Sequence, residues 1–280
     1  MPAAVDNILI PVDFSFNTEI AVRKAVELAG PDETVIHLLH VTRPGKNTGS
    51  QFRQWIAERD LHQWKYRIQQ AGSNIHVRVH LFRGASVQQT IIDCIGVLNP
   101  NLIIIGKHNK HRRWRLSGGV SPDIVAKRSN CPVLTVKPGS IDNRPRLIVL
   151  PIQGFLPERK LEWAVLLARR FKAQVHLLAV GEEAGPKDGM LSQTFLKAYH
   201  HLRERLHHPV EYSADTRHNP AKAALSYAEL VMADMILVNP QTESGIGGLT
   251  GYRHISDLLT RDSKIEVLDV QPYKRETVKP

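Results

Sequence analysis

The sequence predicts an α/β fold made of two tandem doubly wound domains, each a five-stranded, mainly parallel sheet flanked by helices. Three observations point there. The chain has 280 residues, a length that suits two modest domains better than one large one. Short apolar runs alternate with helix-period segments, the pattern of parallel strands buried on both faces by helices. A set of these runs returns about 140 residues later.

The repeat is explicit in the residues. Ile8-Leu9-Ile10-Pro11-Val12 recurs as Ile148-Val149-Leu150-Pro151-Ile152, and His37-Leu38-Leu39-His40-Val41 recurs as His176-Leu177-Leu178-Ala179-Val180. Ile103-Ile104-Ile105-Gly106 matches Ile236-Leu237-Val238-Asn239, and the ending around Val133-Leu134 and Pro138 returns around Val267-Leu268 and Pro272. The later offsets are shorter, so the second copy is the smaller. Domains are expected at 1–140 and 145–280, separated by the Pro-, Gly-, Ser- and Asn-containing stretch from Pro138 to Pro145.

In the first copy, strands are expected at 7–12, 35–41, 75–81, 102–105 and 133–137. Between them Ala21, Ala25, Leu28 and Ala29 form one helical stripe, Leu61, Trp64, Ile68 and Ala71 a second, and Val87, Ile91, Cys94, Ile95 and Leu98 a third. The second copy repeats the device with Leu161, Ala164, Val165 and Ala168, then with Ala221, Ala224, Leu225 and Ala228.

Composition narrows the function classes. Hydrophobic residues are 42% and charged residues 23%, ordinary for a globular protein. No apolar run reaches the ~18 residues that span a bilayer, and MPAAVDN lacks a basic, then apolar, leader, so a cytoplasmic protein without membrane partners is expected. Cys94 and Cys131 are too few for a disulfide framework or a zinc site. The net charge of +10 is uneven: residues 1–140 carry 18 basic and 10 acidic residues, while 141–280 carry 19 and 17. Basic excess in the first half invites phosphate-bearing partners.

In an open parallel sheet, ligands bind outside the carboxyl ends of the strands, where strand order reverses. After the first strand come Pro11, Val12 and Asp13, which place a carboxylate at that edge. After the fourth come Gly106, Lys107, His108 and Asn109, a basic run, and then Ser117-Gly118-Gly119-Val120-Ser121 opening a helix. Glycines at a helix start let backbone N–H groups approach a phosphate, and the helix dipole favours the anion.

On these residues the chain resembles a tandem universal stress protein, two fused copies of that domain covering nearly all of its length. Members that bind ATP carry an Asp after the first strand and a G-x2-G-x9-G-[S/T] loop after the fourth. The resemblance implies that Asp13 contacts the adenosine end, that Val41 offers backbone groups to adenine, and that the loop holds ribose and phosphates. The implied site comprises Pro11, Val12, Asp13, Val41, Gly106, Asn109, Gly118, Gly119, Val120 and Ser121, with ATP as ligand of the first domain only. This chain departs from the pattern: Asn109 replaces the second glycine, the next spacing is one residue short, and Gly119 stands where a hydroxyl residue is expected. The family further implies a regulatory stress-response role without turnover, and a homo-oligomer or paired domains.

The second half departs further. Gln153 stands in the position of Asp13, Asn239 and Thr242 replace loop glycines, and Arg253-His254 fall where the glycine pair belongs. A degenerate second site follows.

Other signals have plain readings. Lys107 to Arg115 holds five Lys/Arg and two His without an acid. It could grip phosphates or touch nucleic acid with Trp114, or be a solvated loop; no nucleic-acid motif accompanies it, so nucleic acid is not an expected partner. His37 and His40 lie in one strand at odd separation and face opposite ways. His200, Glu204, His207 and His208 match a helical face but suit a polar surface equally well. A nucleotide-free interaction scaffold and a basic nucleic-acid module stand as the alternative functions.

Overall fold

The computed structural model describes residues 5–44, 49–107, 120–141, 144–184, 191–217, 219–247 and 253–273. The chain divides into two compact units, one within residues 4–141 and the other within 142–280. Each unit alternates strands and helices.

In the first unit the order is β1 (Asn7–Pro11), α1 (Phe16–Leu28), β2 (Thr34–Thr42), α2 (Gly49–Gln69), β3 (Ile75–Arg83), α3 (Val87–Leu98), β4 (Leu102–Gly106), α4 (Pro122–Ser129) and β5 (Val133–Val136). Its strands lie in the order β3-β2-β1-β4-β5, and every pairing is parallel. The expected strands are all present, within two residues at either end. Alternation along the strands sends Leu9, Leu39, Ile103 and Ile105 to one face, where Ile91, Cys94 and Ile95 of α3 and Val125 and Ala126 of α4 cover them. Helices α1 and α2 pack against β1–β4 on the opposite face. The second stripe is shorter than expected: α2 stops at Gln69, leaving Ala71 in an exposed turn.

The second unit repeats the plan: β6 (Leu147–Ile152), α5 (Glu158–Phe171), β7 (Gln174–Val180), α6 (Gln193–Arg203), β8 (Val210–Asp215), α7 (Pro220–Leu230), β9 (Met235–Val238), α8 (Ile255–Leu258) and β12 (Glu266–Asp269). A two-stranded ribbon, β10 (Gly245–Ile246) with β11 (Arg253–His254), precedes α8. The sheet runs β12-β9-β6-β7-β8, again parallel. Val149, Leu178, Ile236 and Val267 meet Ala223, Ala224 and Ala228 of α7 and Ile255 beside them.

Helix ends follow the local chemistry. Ser86, Ser192 and Asn219 each accept a backbone N–H of the following first turn. Asn99 and Asn130 end α3 and α4 in left-handed conformation, which their short polar side chains tolerate. These two stops turn the chain directly into β4 and β5 at the amino edge of the sheet.

Candidate functional site at the carboxyl edge of the sheet

In the first unit the chain progresses from β1 outward to β2 and β3, then returns to the other side of β1 for β4 and β5. The crevice between the ends of β1 and β4 is therefore the switch point. Asp13 stands there with an exposed side chain. Its Oδ1 accepts the Ser15 N–H at 3.0 Å and the Thr18 hydroxyl at 2.6 Å, while its own N–H reaches Thr18 Oγ1 at 3.2 Å. The aspartate thus closes an Asx turn that launches α1.

Val12 is buried, and its N–H donates to Leu39 O at 2.8 Å. Val41 lies two residues beyond the Leu39 partner of Pro11, half-buried, at the outgoing end of β2. Gly106 meets α1 directly: a Cβ there would lie 1.9 Å from Asn17 O. The glycine is required by helix packing, a role sequence reasoning assigned only to phosphate approach. The structure therefore brings Pro11, Val12, Asp13 and Gly106 to one edge around the start of α1.

Val120 and Ser121 sit at the entry to α4. Val120 packs against the cluster beneath α3, and Ser121 donates its N–H to Gln88 Oε1 at 2.8 Å and its hydroxyl to Asp123 at 2.6 Å. Asn109, Gly118 and Gly119 lie outside the described residues, as does the run from His108 to Arg115.

Sequence reasoning missed an aromatic cluster beside Asp13. Phe14 adopts a positive φ of 58°, a conformation non-glycine residues rarely take, and its ring lies 4.8 Å from that of His40 and 6.1 Å from that of Trp64. His40 Nδ1 is 2.7 Å from Val12 O, so that nitrogen carries the proton. No spacing rule announces this group, because its members come from three elements. His37 does face away from His40; its Nδ1 lies 2.8 Å from His80 Nε2 on β3.

The second unit fills the equivalent edge with its own side chains. Lys160 Nζ donates to Pro151 O at 2.5 Å and to Glu243 Oε2 at 2.5 Å, and Glu243 also accepts the Asn239 N–H at 2.7 Å. Burial pulls the Lys160 ammonium down and pushes the Glu243 carboxyl up in pKa, and each charge opposes the shift of the other. Beside them Glu183 accepts the Gly154 N–H at 3.0 Å and the Ser192 hydroxyl. Where a glycine pair was sought, His254 is buried. Its Nε2 meets Asp269 Oδ1 at 2.9 Å, and its Nδ1 accepts the Ser256 N–H at 3.2 Å. Gln153 does not substitute for Asp13 as an exposed acid, since it carries no charge.

Among the described residues no group of His, Cys, Asp and Glu is arranged for a metal. The helical face imagined for His200, Glu204, His207 and His208 is broken because α6 ends at Arg203. Cys131 is buried and donates to Pro100 O at 3.2 Å, and burial pushes the Cys94 thiol up. No helix among the described residues is long and apolar enough to cross a membrane.

Residues 4–137 match the sequence profile of the universal stress protein family. The first half of the chain is a universal stress protein domain. Solved structures extend the likeness of fold to both halves. A universal stress protein from Archaeoglobus fulgidus DSM 4304 superposes with a TM-score of 0.69 at 17% identity, covering 98% of this chain and 99% of its own. A functionally unknown protein from Pseudomonas aeruginosa PAO1 gives 0.60 at 18%, covering 96% and 93%. The cytoplasmic domain of a prokaryotic cation chloride cotransporter gives 0.54 at 15%, covering 94% of each. At such identities the likeness is one of fold, and the cotransporter shows that a fold shared with universal stress proteins does not fix a role. No curated protein matches the chain.

Proposed function

We propose that the universal stress protein domain of residues 4–137 binds an adenine nucleotide, ATP, at the β1–β4 edge. The second half is a second domain of the same family that binds none, and the chain acts as a regulatory stress-response protein rather than an enzyme. The observation that carries this reading is the exposed Asp13 carboxylate at the switch point, one residue from the Val12 carbonyl and opposite the end of β4. A carboxylate there accepts hydroxyl donors of the ribose. Val41 offers backbone groups to the base, and Gly106, Asn109, Gly118, Gly119, Val120 and Ser121 border the phosphates. The closed edge of the second half supports a single site: an ion pair and two further carboxylates occupy it. Binding acts by favouring one arrangement of the chain or its assembly over another, since only differential affinity shifts such an equilibrium.

A second reading has its own support. Asp13 Oδ1 already holds the Ser15 N–H and the Thr18 hydroxyl at the entry to α1, so the residue also suits a nucleotide-free scaffold. Mass spectrometry of small molecules released from the purified protein, together with calorimetric titration of ATP, separates the two. Released adenine nucleotide or saturable heat with ATP upholds the site. A clean release spectrum with no heat leaves the scaffold.

A further inference from the structure

Helix α2 has two faces. Ala57, Leu61 and Ile68 are buried against the sheet. On the other side Phe52, Trp55, Arg59, His62 and Tyr66 follow a 3-4-3-4 spacing that aligns them in one stripe. Phe52, Trp55 and Tyr66 are 63%, 56% and 69% exposed. The corresponding helix of the second unit, α6, buries its Phe195 completely and exposes no large aromatic ring. The fold therefore does not require rings on this surface.

Charge selects what they meet. Arg53, Arg59, Lys65 and Arg67 stand on α2 against Glu58 and Asp60, with Arg59 paired to Asp60 at 2.8 Å, and Arg83 of β3 joins them through a hydrogen bond to Gln54. The Arg59 guanidinium lies 5.5 Å from the Trp55 ring centroid, and the Phe52 and Trp55 rings are near parallel at 19°. A second copy of this helix would set Arg59 and His62, at the middle of the stripe, against themselves. A bilayer would have to take the same two polar groups into the centre of its aromatic contact. A strand of phosphates carrying flat bases uses both the rings and the cations.

We propose that the outer face of α2 binds single-stranded nucleic acid. Phe52, Trp55 and Tyr66 stack on bases, and Arg59, on the same stripe, exchanges its Asp60 partner for a phosphate. From Phe52 to Tyr66 the helix rises ~21 Å, enough for a short run of nucleotides. Stacking on rings is sequence-tolerant, so little base preference is expected. This surface is separate from the β1–β4 edge and stands whether or not ATP binds there.

The test is fluorescence anisotropy of labelled oligo(dT) and oligo(U) with the full chain across a salt series, beside co-sedimentation with phosphatidylserine–phosphatidylcholine vesicles. Expected is binding that weakens steeply with salt. The exposed double substitution Phe52→Ala/Trp55→Ala, its fold checked by circular dichroism, raises Kd by at least ~10-fold, from ~1–3 kcal/mol per stacked base. Arg59→Gln lowers the salt slope by ~0.7, the share of one phosphate contact on a single strand. Three results overturn the proposal: no oligonucleotide binding at low salt; binding indifferent to loss of the two rings, which assigns it to the basic run at 107–115; or vesicle binding in place of oligonucleotide binding.

Discussion

The Lys160 ammonium and the Glu243 carboxylate lie 2.5 Å apart with side chains only 1% and 2% exposed, at the edge of the second unit where the first unit keeps Asp13 open to solvent. Two buried charges hold each other and two backbone groups, Pro151 O and Asn239 N–H. The pair thereby ties α5 and the loop after β9 to the end of β6. A ligand at this edge would have to displace it.

Removing one partner leaves the other charged and buried, which costs ~3–5 kcal/mol. Lys160→Met is expected to lower stability by that amount in urea denaturation. Lys160→Met/Glu243→Leu recovers part of the loss, since two apolar groups need no counter-ion but leave the Asn239 N–H and Pro151 O without those partners. A single variant as stable as the parent contradicts the buried pair.

Gly106 gives the second prediction. With Asn17 O only 1.9 Å from where a Cβ would stand, Gly106→Ala forces β4 and α1 apart at a cost of ~1–3 kcal/mol. Gly96→Ala, within α3 and with nothing inside 4 Å of the new Cβ, only reduces the backbone entropy lost on folding and raises stability by ~1 kcal/mol. Melting curves of the two variants shift in opposite directions.

The third prediction concerns acid. Burial first, then the nearby His80 and Arg78, lower the His37 pKa from 6.5 to about 4, and burial and Arg78 lower that of His80. Between these values the unfolded chain binds a proton that the folded one refuses, so stability is full above pH 6.5 and falls as pH drops toward 4. At ~1.4 kcal/mol per unit the loss from His37 is on the order of 2–3 kcal/mol. His37→Gln keeps a partner for His80 without titrating there. Urea midpoints at neutral and mildly acid pH should differ less in the variant than in the parent, and an equal difference removes His37 as the cause.

Much of the fold was legible because it rests on periodicity: strands such as 7–12 and the stripe of Ile91, Cys94 and Ile95 show a buried face directly. The edge position of Asp13 followed from strand order. What stayed hidden depends on meetings between distant segments. His37 and His80 are neighbours only through the β2–β3 register, Lys160 and Glu243 only through the β6–β9 crossover, and Gly106 needs α1 beside it to show why it is glycine. Trp55 and Phe52 were not singled out because a helix carrying rings on both sides gives no single apolar face.

The most direct measurement is calorimetric titration of ATP into the parent, Asp13→Asn and Gln153→Ala proteins. Asparagine can keep the Oδ1 contacts to the Ser15 N–H and the Thr18 hydroxyl while losing the charge, so fold and ligand effects stay apart. Loss of a hydrogen bond to a charged group is worth ~1.5–3 kcal/mol, so Asp13→Asn should weaken ATP binding ~10- to 100-fold while Gln153→Ala binds like the parent. Equal affinity in all three proteins would contradict a nucleotide site at the edge of the first half.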